Sequence, residues 1–157
     1  MRNRFSALAP VLALALPLTA GAAEGLVTKK SPYPAQATAD KLANVITGQG
    51  FDLQRIDHSD AAEEHDLELR PTEVFVFGNP EVGTPLMKCA PTLAIDLPLK
   101  ALVWEDDEGE VRVGYNDPEY LKERHEVEGC DEELEKMSDA LDKMLSMTVA
   151  KEGTGED

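Results

Sequence analysis

Aromatic and basic residues are scarce in this sequence of 157 residues. Aromatic side chains make up 5% of the chain, and 15 Lys and Arg face 31 Asp and Glu, for a formal net charge of −16. Nucleic-acid-binding proteins need a basic face to neutralise phosphates, so this charge argues against a nucleic-acid partner. It argues equally against adsorption to anionic lipid. The hydrophobic fraction of 42% excludes wholesale disorder, and the length fits one domain.

Sequence motifs for nucleophilic catalysis, metalloprotease chemistry and nucleotide binding are also absent. The chain contains no Gly-x-Ser-x-Gly, no His-Glu-x-x-His, no Walker loop and no Gly-x-Gly-x-x-Gly. These absences favour a protein that is not an enzyme, and they leave the cofactor, if one is bound, unknown.

The first 23 residues have the pattern of a secretory signal peptide. Arg2 and Arg4 form a short basic start, and no residue from 5 to 23 is charged. Small residues close the stretch, which predicts cleavage near Ala22 or Ala23. We therefore expect a periplasmic or secreted protein that is not held in the membrane after cleavage.

A membrane anchor is the alternative for this stretch, because about 20 apolar residues span a bilayer. Pro10 and Pro17 interrupt the run, and no cysteine lies nearby for a lipid attachment. Signal cleavage is therefore the preferred interpretation. It leaves one domain over residues 24–150, with a polar tail at 151–157.

Two cysteines, Cys89 and Cys130, remain after cleavage, and neither belongs to a Cys-x-x-Cys motif. Thiols oxidise outside the cytoplasm, so a disulfide between them is expected. It would close a span of 41 residues and contribute about 4 kcal/mol in the chain-entropy model.

Apolar spacing and turn residues predict five strands and two long helices. We expect strands at 25–29, 51–57, 73–78, 100–105 and 110–116, long helices at 38–48 and 131–149, and short helical pieces near 59–64 and 120–124. Thr38 is expected to cap the first long helix. Residues 79–98, rich in Pro and Gly, are expected to be irregular with one or two helical turns. The acidic stretch 105–110 lacks the ligand spacing of a calcium loop and is typical of a hairpin tip.

This order predicts an α+β fold in which an antiparallel sheet carries two main helices on one face. At about 100° per residue, the last helix has one apolar stripe about 100° wide, and Met147 lies outside it. One stripe is enough to dock a helix on a sheet. The stripe contains Leu134, Met137, Leu141, Met144, Leu145 and Thr148.

Several separated motifs over roughly residues 35–125 resemble the domain-of-unknown-function 302 family. They are Arg55-Ile56-Asp57-His58, the stretch from Leu69 to Pro80 (LRPTEVFVFGNP), Gly83 to Met87 (GTPLM), Asp96 to Lys100 (DLPLK), Trp104-Glu105-Asp106 and Tyr115-Asn116. The resemblance implies a TATA-binding-protein-like domain with the order strand, helix, four strands, helix. It implies no activity and no nucleic-acid binding. His65 and Cys89 depart from the family pattern, so a role for either would be particular to this chain.

Asp57 and His58 form the most enzyme-like pair in the sequence. A carboxylate beside an imidazole can orient it for acid–base catalysis. Neighbouring residues on a strand point to opposite faces, however. The alternative is that Asp57 caps the following helix while His58 bonds to the backbone.

The loop after the third predicted strand is a candidate ligand site. Its glycines could expose amides to an anion, and Thr84 could cap a helical turn aimed at it. The alternative is a turn that needs glycine geometry. A pocket, if formed, is expected where this loop faces His58. The candidate ligand residues are Asp57, His58, Gly78, Asn79, Gly83, Thr84 and Met87.

A metal site has weaker support, with His58, Met87 and Cys89 as the candidate ligands. Soft sulfur ligands would select copper(I). Met137 and Met144 fall on the apolar stripe and are expected to fill the core.

Three functions remain open. The first is a non-enzymatic periplasmic domain that binds a small ligand or a protein, with a possible homodimer through the sheet or its edge. The second is a periplasmic copper or haem carrier. The third is an enzyme built on Asp57 and His58.

Overall fold

The computed structural model describes residues 23–151, so the predicted signal peptide and most of the polar tail lie outside the described residues. Five strands and five α-helices follow one another in this part of the chain. They are β1 (Leu26–Lys30), α1 (Ala35–Gly48), β2 (Asp52–Asp57), α2 (His58–Glu63), β3 (Thr72–Gly78), α3 (Pro80–Cys89), a 3-10 turn (Pro91–Ile95), β4 (Leu99–Glu105), β5 (Val111–Asn116), α4 (Pro118–Arg124) and α5 (Asp131–Val149).

All five strands form one antiparallel sheet in the spatial order β1-β5-β4-β3-β2. Strands β4 and β5 form the predicted hairpin, and Gly109 in its turn has a φ of +76°, which glycine adopts without strain. The acidic stretch forms this hairpin tip. The α+β fold and the order strand, helix, four strands, helix are therefore confirmed.

One face of the sheet is covered by α1 and α5. Strand β3 alternates buried and half-exposed residues, and its buried side includes Phe75 and Phe77. Helix α5 buries the predicted apolar stripe against the sheet, including Met137 and Met144. Met147 is exposed, as its position outside the stripe predicts. The core therefore lies between the helix pair and a single sheet face.

Two local predictions are wrong. Helix α1 begins at Ala35, three residues before the expected cap, because Pro34 takes the cap position. Thr38 is instead buried inside the first turns, where its hydroxyl donates to the Pro34 carbonyl oxygen.

The stretch expected to be irregular forms the ten-residue helix α3 despite Pro85 within it. Pro80 at the first position favours this helix start, because its missing N–H has no helical partner there.

Candidate functional site

A cavity of about 520 Å³ opens at one end of the sheet. Strand β2 begins there and β3 ends there, with Asp52 paired to Gly78. Strand β4 begins beside them, with Leu99 paired to Phe77. Helix α3 forms most of the remaining wall, and α5 adds Met137. The cavity therefore lies where three strand ends and one helix meet, and we call it the sheet-end cavity.

Apolar side chains form most of its lining, twelve of the eighteen residues. They come from four separate stretches of the chain, so only the folded domain assembles them. The twelve are Phe51, Leu53, Val76, Phe77, Pro80, Val82, Leu86, Met87, Leu97, Pro98, Leu99 and Met137.

Short local contacts hold α3 against the strand ends. The Asn79 side chain caps α3 by accepting a hydrogen bond from the Glu81 amide at 2.8 Å. Gly78 permits a close approach, since a Cβ there would stand 3.2 Å from Cβ of Pro98. The predicted loop residues therefore shape this cavity through their turn geometry.

A disulfide joins the far end of α3 to the start of α5. Cys89 is the last residue of α3 and Cys130 immediately precedes α5, with their Cα atoms 6.4 Å apart. The predicted bond is confirmed. Because α5 contributes Met137 to the cavity, the disulfide links two of the cavity walls.

The cavity contains little charge. Asp52 is the one ionisable side chain in its lining, and Gln54, Asn79 and Thr84 are the other polar ones. The loop amides are already bonded, since the Glu81 amide donates to the Asn79 side chain and the Val82 and Gly83 amides donate to the Asn79 carbonyl oxygen. These three amides therefore do not form the predicted anion cradle.

Five of the seven predicted ligand residues line this cavity, and two do not. Gly78, Asn79, Gly83, Thr84 and Met87 are in the lining. Asp57 and His58 lie at the opposite end of β2, where Asp57 pairs with Glu73. Five residue steps along a strand separate the two ends, about 17 Å. The prediction that the loop faces His58 is wrong, because the loop follows β3 and β3 runs antiparallel to β2.

Comparison with known proteins places this architecture in a family. A family model described as "Domain of unknown function DUF302" matches residues 27–144. The chain belongs to the DUF302 family. The resemblance carried by the motifs between residues 55 and 116 is therefore confirmed.

Two bacterial relatives are named fluoride-specific ion channel FluC 1. The proteins from Brucella suis biovar 1 (strain 1330) and Brucella abortus biovar 1 (strain 9-941) are each 41% identical to this chain over 104 residues, or 66% of the chain. The match covers 41% and 38% of their own lengths, so this chain spans about two-fifths of each. Within residues 23–151, no helix is long and apolar enough to span a bilayer.

One solved structure shares the DUF302 fold. The crystal structure of the uncharacterized conserved protein DUF302 from Bacillus stearothermophilus superposes with a TM-score of 0.71 at 17% sequence identity. The alignment covers 80% of this chain and 99% of that one. At this identity the likeness shows the fold alone.

In this DUF302 domain Asp57 caps helix α2, as the alternative interpretation predicts. Its carboxylate accepts hydrogen bonds from the Ser59 amide at 2.9 Å, the Ser59 hydroxyl at 2.5 Å and the Asp60 amide at 3.0 Å. Burial opposes ionisation, but these hydrogen bonds outweigh it and hold the pKa of Asp57 below its ordinary value.

The Asp57 cap makes a pH-dependent contribution to stability. A carboxyl group whose pKa is lower in the folded protein than in the unfolded chain stabilises the fold at pH values above its unfolded pKa of about 3.9. This stabilisation is lost as the pH falls through the folded pKa. We expect Asp57→Ala to cost about 1 kcal/mol at pH 7 and much less near pH 2. Urea denaturation at both pH values measures the two costs; equal costs would contradict a charge-dependent cap.

The metal candidates are not brought together. Cys89 is bonded to Cys130, Met87 lines the cavity, and His58 starts α2 at the other end of the sheet. Among residues 23–151 no group of three His, Cys, Asp or Glu side chains is arranged to hold an ion.

A chain of three polar side chains was missed in the sequence. His125 Nε2 lies 2.6 Å from an Asp96 carboxylate oxygen, and His125 Nδ1 lies 3.0 Å from the Thr92 hydroxyl. These contacts join the end of α4 to the segment before Leu97 and Pro98, which line the cavity. About thirty residues separate His125 from its two partners, so no local spacing could reveal the group.

Proposed function

We propose that this DUF302 domain is a non-enzymatic binding domain that holds a small, mainly apolar and uncharged molecule in the sheet-end cavity. The observation that carries the proposal is the lining, in which twelve of eighteen residues are apolar around about 520 Å³. This size lies within the range of cavities that bind small molecules, and such cavities combine apolar walls with a few polar groups.

The lining also indicates the charge of the ligand. No Lys, Arg or His is among the lining residues, and Asp52 contributes a negative charge. An anion entering these walls would lose hydration without gaining a cationic partner. Gln54, Asn79 and Thr84 can instead hydrogen-bond to one polar end of a neutral molecule.

The two other functions have less support in the geometry. A copper(I) carrier would find the Met87 and Met137 thioethers in the cavity but no thiolate or imidazole. A haem carrier would lack a cation for the propionates. An enzyme based on Asp57 and His58 would use a carboxylate that is already engaged in capping α2.

A matched set of naphthalene compounds tests the proposed ligand chemistry. The probes are 2-naphthalenemethanol, 2-naphthoate and 2-naphthylmethylammonium, which share one ring system and differ in charge. We expect the neutral probe to bind at least about tenfold more tightly than the anion and also more tightly than the ammonium probe, because a mainly apolar lining does not replace the hydration that either ion loses. Isothermal titration calorimetry measures all three affinities. Fluoride, tested in the same way because of the relatives' name, is a small anion and is expected not to bind.

A cavity-filling variant shows where the neutral probe binds. Gly83 lies in α3, and a Cβ there would stand 3.7 Å from a Leu97 methyl group, so Gly83→Leu fills the cavity while favouring the helix. We expect at least about tenfold weaker binding. Gly48→Leu is the matched control, because Gly48 ends α1 and a Cβ added there would meet no atom of the described residues within 4 Å.

Two results would contradict the proposal. Equal or tighter binding of 2-naphthoate would show that the lining does not select against anions. Undiminished binding in Gly83→Leu, with an unchanged circular dichroism spectrum, would place the probe elsewhere on the domain.

We propose in addition that the domain acts outside the cytoplasm. The basic start, uncharged run and small residues of segment 1–23 support this, as does the disulfide, which persists in oxidising compartments. The intact mass of protein isolated from the cell envelope reports both features: a chain lacking about 22 residues supports export, and an uncleaved chain contradicts it.

A further inference from the structure

The face of the sheet opposite α1 and α5 carries an uncharged row that crosses all five strands. Ile56 pairs with Val74, Val74 with Leu102, Leu102 with Gly114, and Gly114 with Thr28. Cross-strand partners point to the same side, so these five residues share one face. At about 4.8 Å between strands the row is about 19 Å long. We call this side of the sheet the open face and the five residues its central row.

Within residues 23–151 the open face is not covered by the two long helices. Both pack on the other side, where Phe75, Val103 and Val113 are buried. On the open face Val74 and Leu102 are half-exposed, and Ile56 is 38% exposed. The domain therefore presents apolar side chains at the middle of a sheet that has only one covered side.

Trp104 enlarges this apolar surface. A Cβ on Gly114 would stand 3.4 Å from the Trp104 ring and 3.1 Å from the Thr28 methyl group, so the indole lies across the glycine. Trp104 pairs with Arg112 on the neighbouring strand. Trp and Arg are both enriched at the energetic centres of protein interfaces.

Two ion pairs lie at one margin of the open face, and Lys100 lies on the same face as an exposed cation whose Nζ donates to the Asp96 and Pro98 carbonyl oxygens. Arg112 forms an ion pair with Asp106, and Lys30 forms one with Glu110, both where β5 leaves the hairpin tip. The whole chain has a formal charge of −16, so two copies repel each other over most of their surface. The central row and the rows on either side of it contain no Asp or Glu among their paired residues, so a second copy meets less of that repulsion here than over the rest of the surface.

We propose that the open face is the interface of a two-fold symmetric homodimer. The central row and one row on either side cover about 24 Å by 20 Å on each copy, or about 1,000 Å² of flat surface for the pair. That area reaches the lower limit for a specific interface. A two-fold axis places the same patch on both sides, with an apolar centre and an ion-paired rim, which is the usual anatomy of such contacts.

Sedimentation equilibrium of the purified domain measures the mass directly. We expect twice the chain mass for the wild type and the single chain mass for Leu102→Glu, because each copy would bring an unpaired charge to the centre of the interface. Ile95→Glu is the matched control: Ile95 is 73% exposed in the 3-10 turn, and we expect that variant to remain dimeric. Trp104→Ala is expected to weaken the dimer at least about tenfold.

Circular dichroism and thermal denaturation separate lost association from lost folding. If Leu102→Glu fails to fold, Ile56→Glu applies the same test at a more exposed position on the edge strand β2. A monomeric wild type would overturn the proposal. A folded Leu102→Glu or Ile56→Glu protein that stays dimeric would also overturn it.

Discussion

Replacing both Cys89 and Cys130 with serine is expected to lower the free energy of unfolding by about 4 kcal/mol. In the chain-entropy model the disulfide stabilises the fold because it closes a span of 41 residues and so lowers the entropy of the unfolded chain. For a domain of this size the midpoint of thermal unfolding should fall by about 10–20 °C. Because the bond links α3 to α5, binding of 2-naphthalenemethanol in the sheet-end cavity should weaken as well.

Reduction of the wild type provides the control for this prediction. Dithiothreitol should lower the unfolding midpoint of the wild type toward that of Cys89→Ser/Cys130→Ser and leave the double variant unchanged. Intact mass spectrometry should show the oxidised protein about two hydrogens lighter than the reduced one. A double variant as stable as the oxidised wild type would show that the bond does not constrain the unfolded chain.

Arg55→Ala is expected to cost about 2–3 kcal/mol, because it removes the cation that pairs with the nearly buried Glu73 carboxylate. Arg55 donates two hydrogen bonds to Glu73, at 2.5 Å and 3.0 Å, and one to Asp40 of α1 at 3.0 Å. The Glu73 hydrogen bonds are the main reason that the pKa of Arg55 is raised, against the opposing effect of burial. Glu73 is 7% exposed, whereas Arg55 is about a third exposed, so the cost falls below that of a fully buried pair.

Two variants isolate the contribution of burial to this cost. Arg70→Ala removes an exposed ion pair with Asp107 at the hairpin tip and should change stability by less than about 0.5 kcal/mol. Arg55→Met combined with Glu73→Leu should recover most of the stability lost in Arg55→Ala, because neither side chain then carries a charge. Urea denaturation measures all four proteins; equal costs for Arg55→Ala and Arg70→Ala would contradict the argument.

Local patterns in the sequence were sufficient to predict the sheet and its two long helices. Alternation in β3 and the apolar stripe of α5 each report which side of an element is buried. The start of α1 and the extent of α3 were harder to predict. Thr38, a preferred cap residue, was chosen as the start of α1, and the Pro and Gly content of residues 79–98 indicated an irregular segment. In the structure Pro34 takes the cap position of α1, and Pro85 lies within α3.

The candidate site could be predicted only in part, because a cavity depends on where elements pack. The loop residues Gly78 and Asn79 were identified from their turn chemistry and do line the cavity. Met137 was assigned to the core from its helical spacing, and nothing local shows that α5 brings it beside α3. His58 was predicted at the wrong end of the sheet. It follows β2, whereas the loop follows β3, and these two antiparallel strands finish at opposite ends of the sheet.

The pairing of β1 with β5 determines when the sheet can be completed during synthesis. Leu26 lies opposite Asn116, so the first strand finds its partner only after some ninety further residues have been made. At ordinary rates of translation that interval is on the order of 10 s. Closing such a long-range pair is slow compared with forming the β4–β5 hairpin. The N-terminal strand is therefore the last to gain its neighbour, and β5 keeps a free edge until the two ends of the sheet meet.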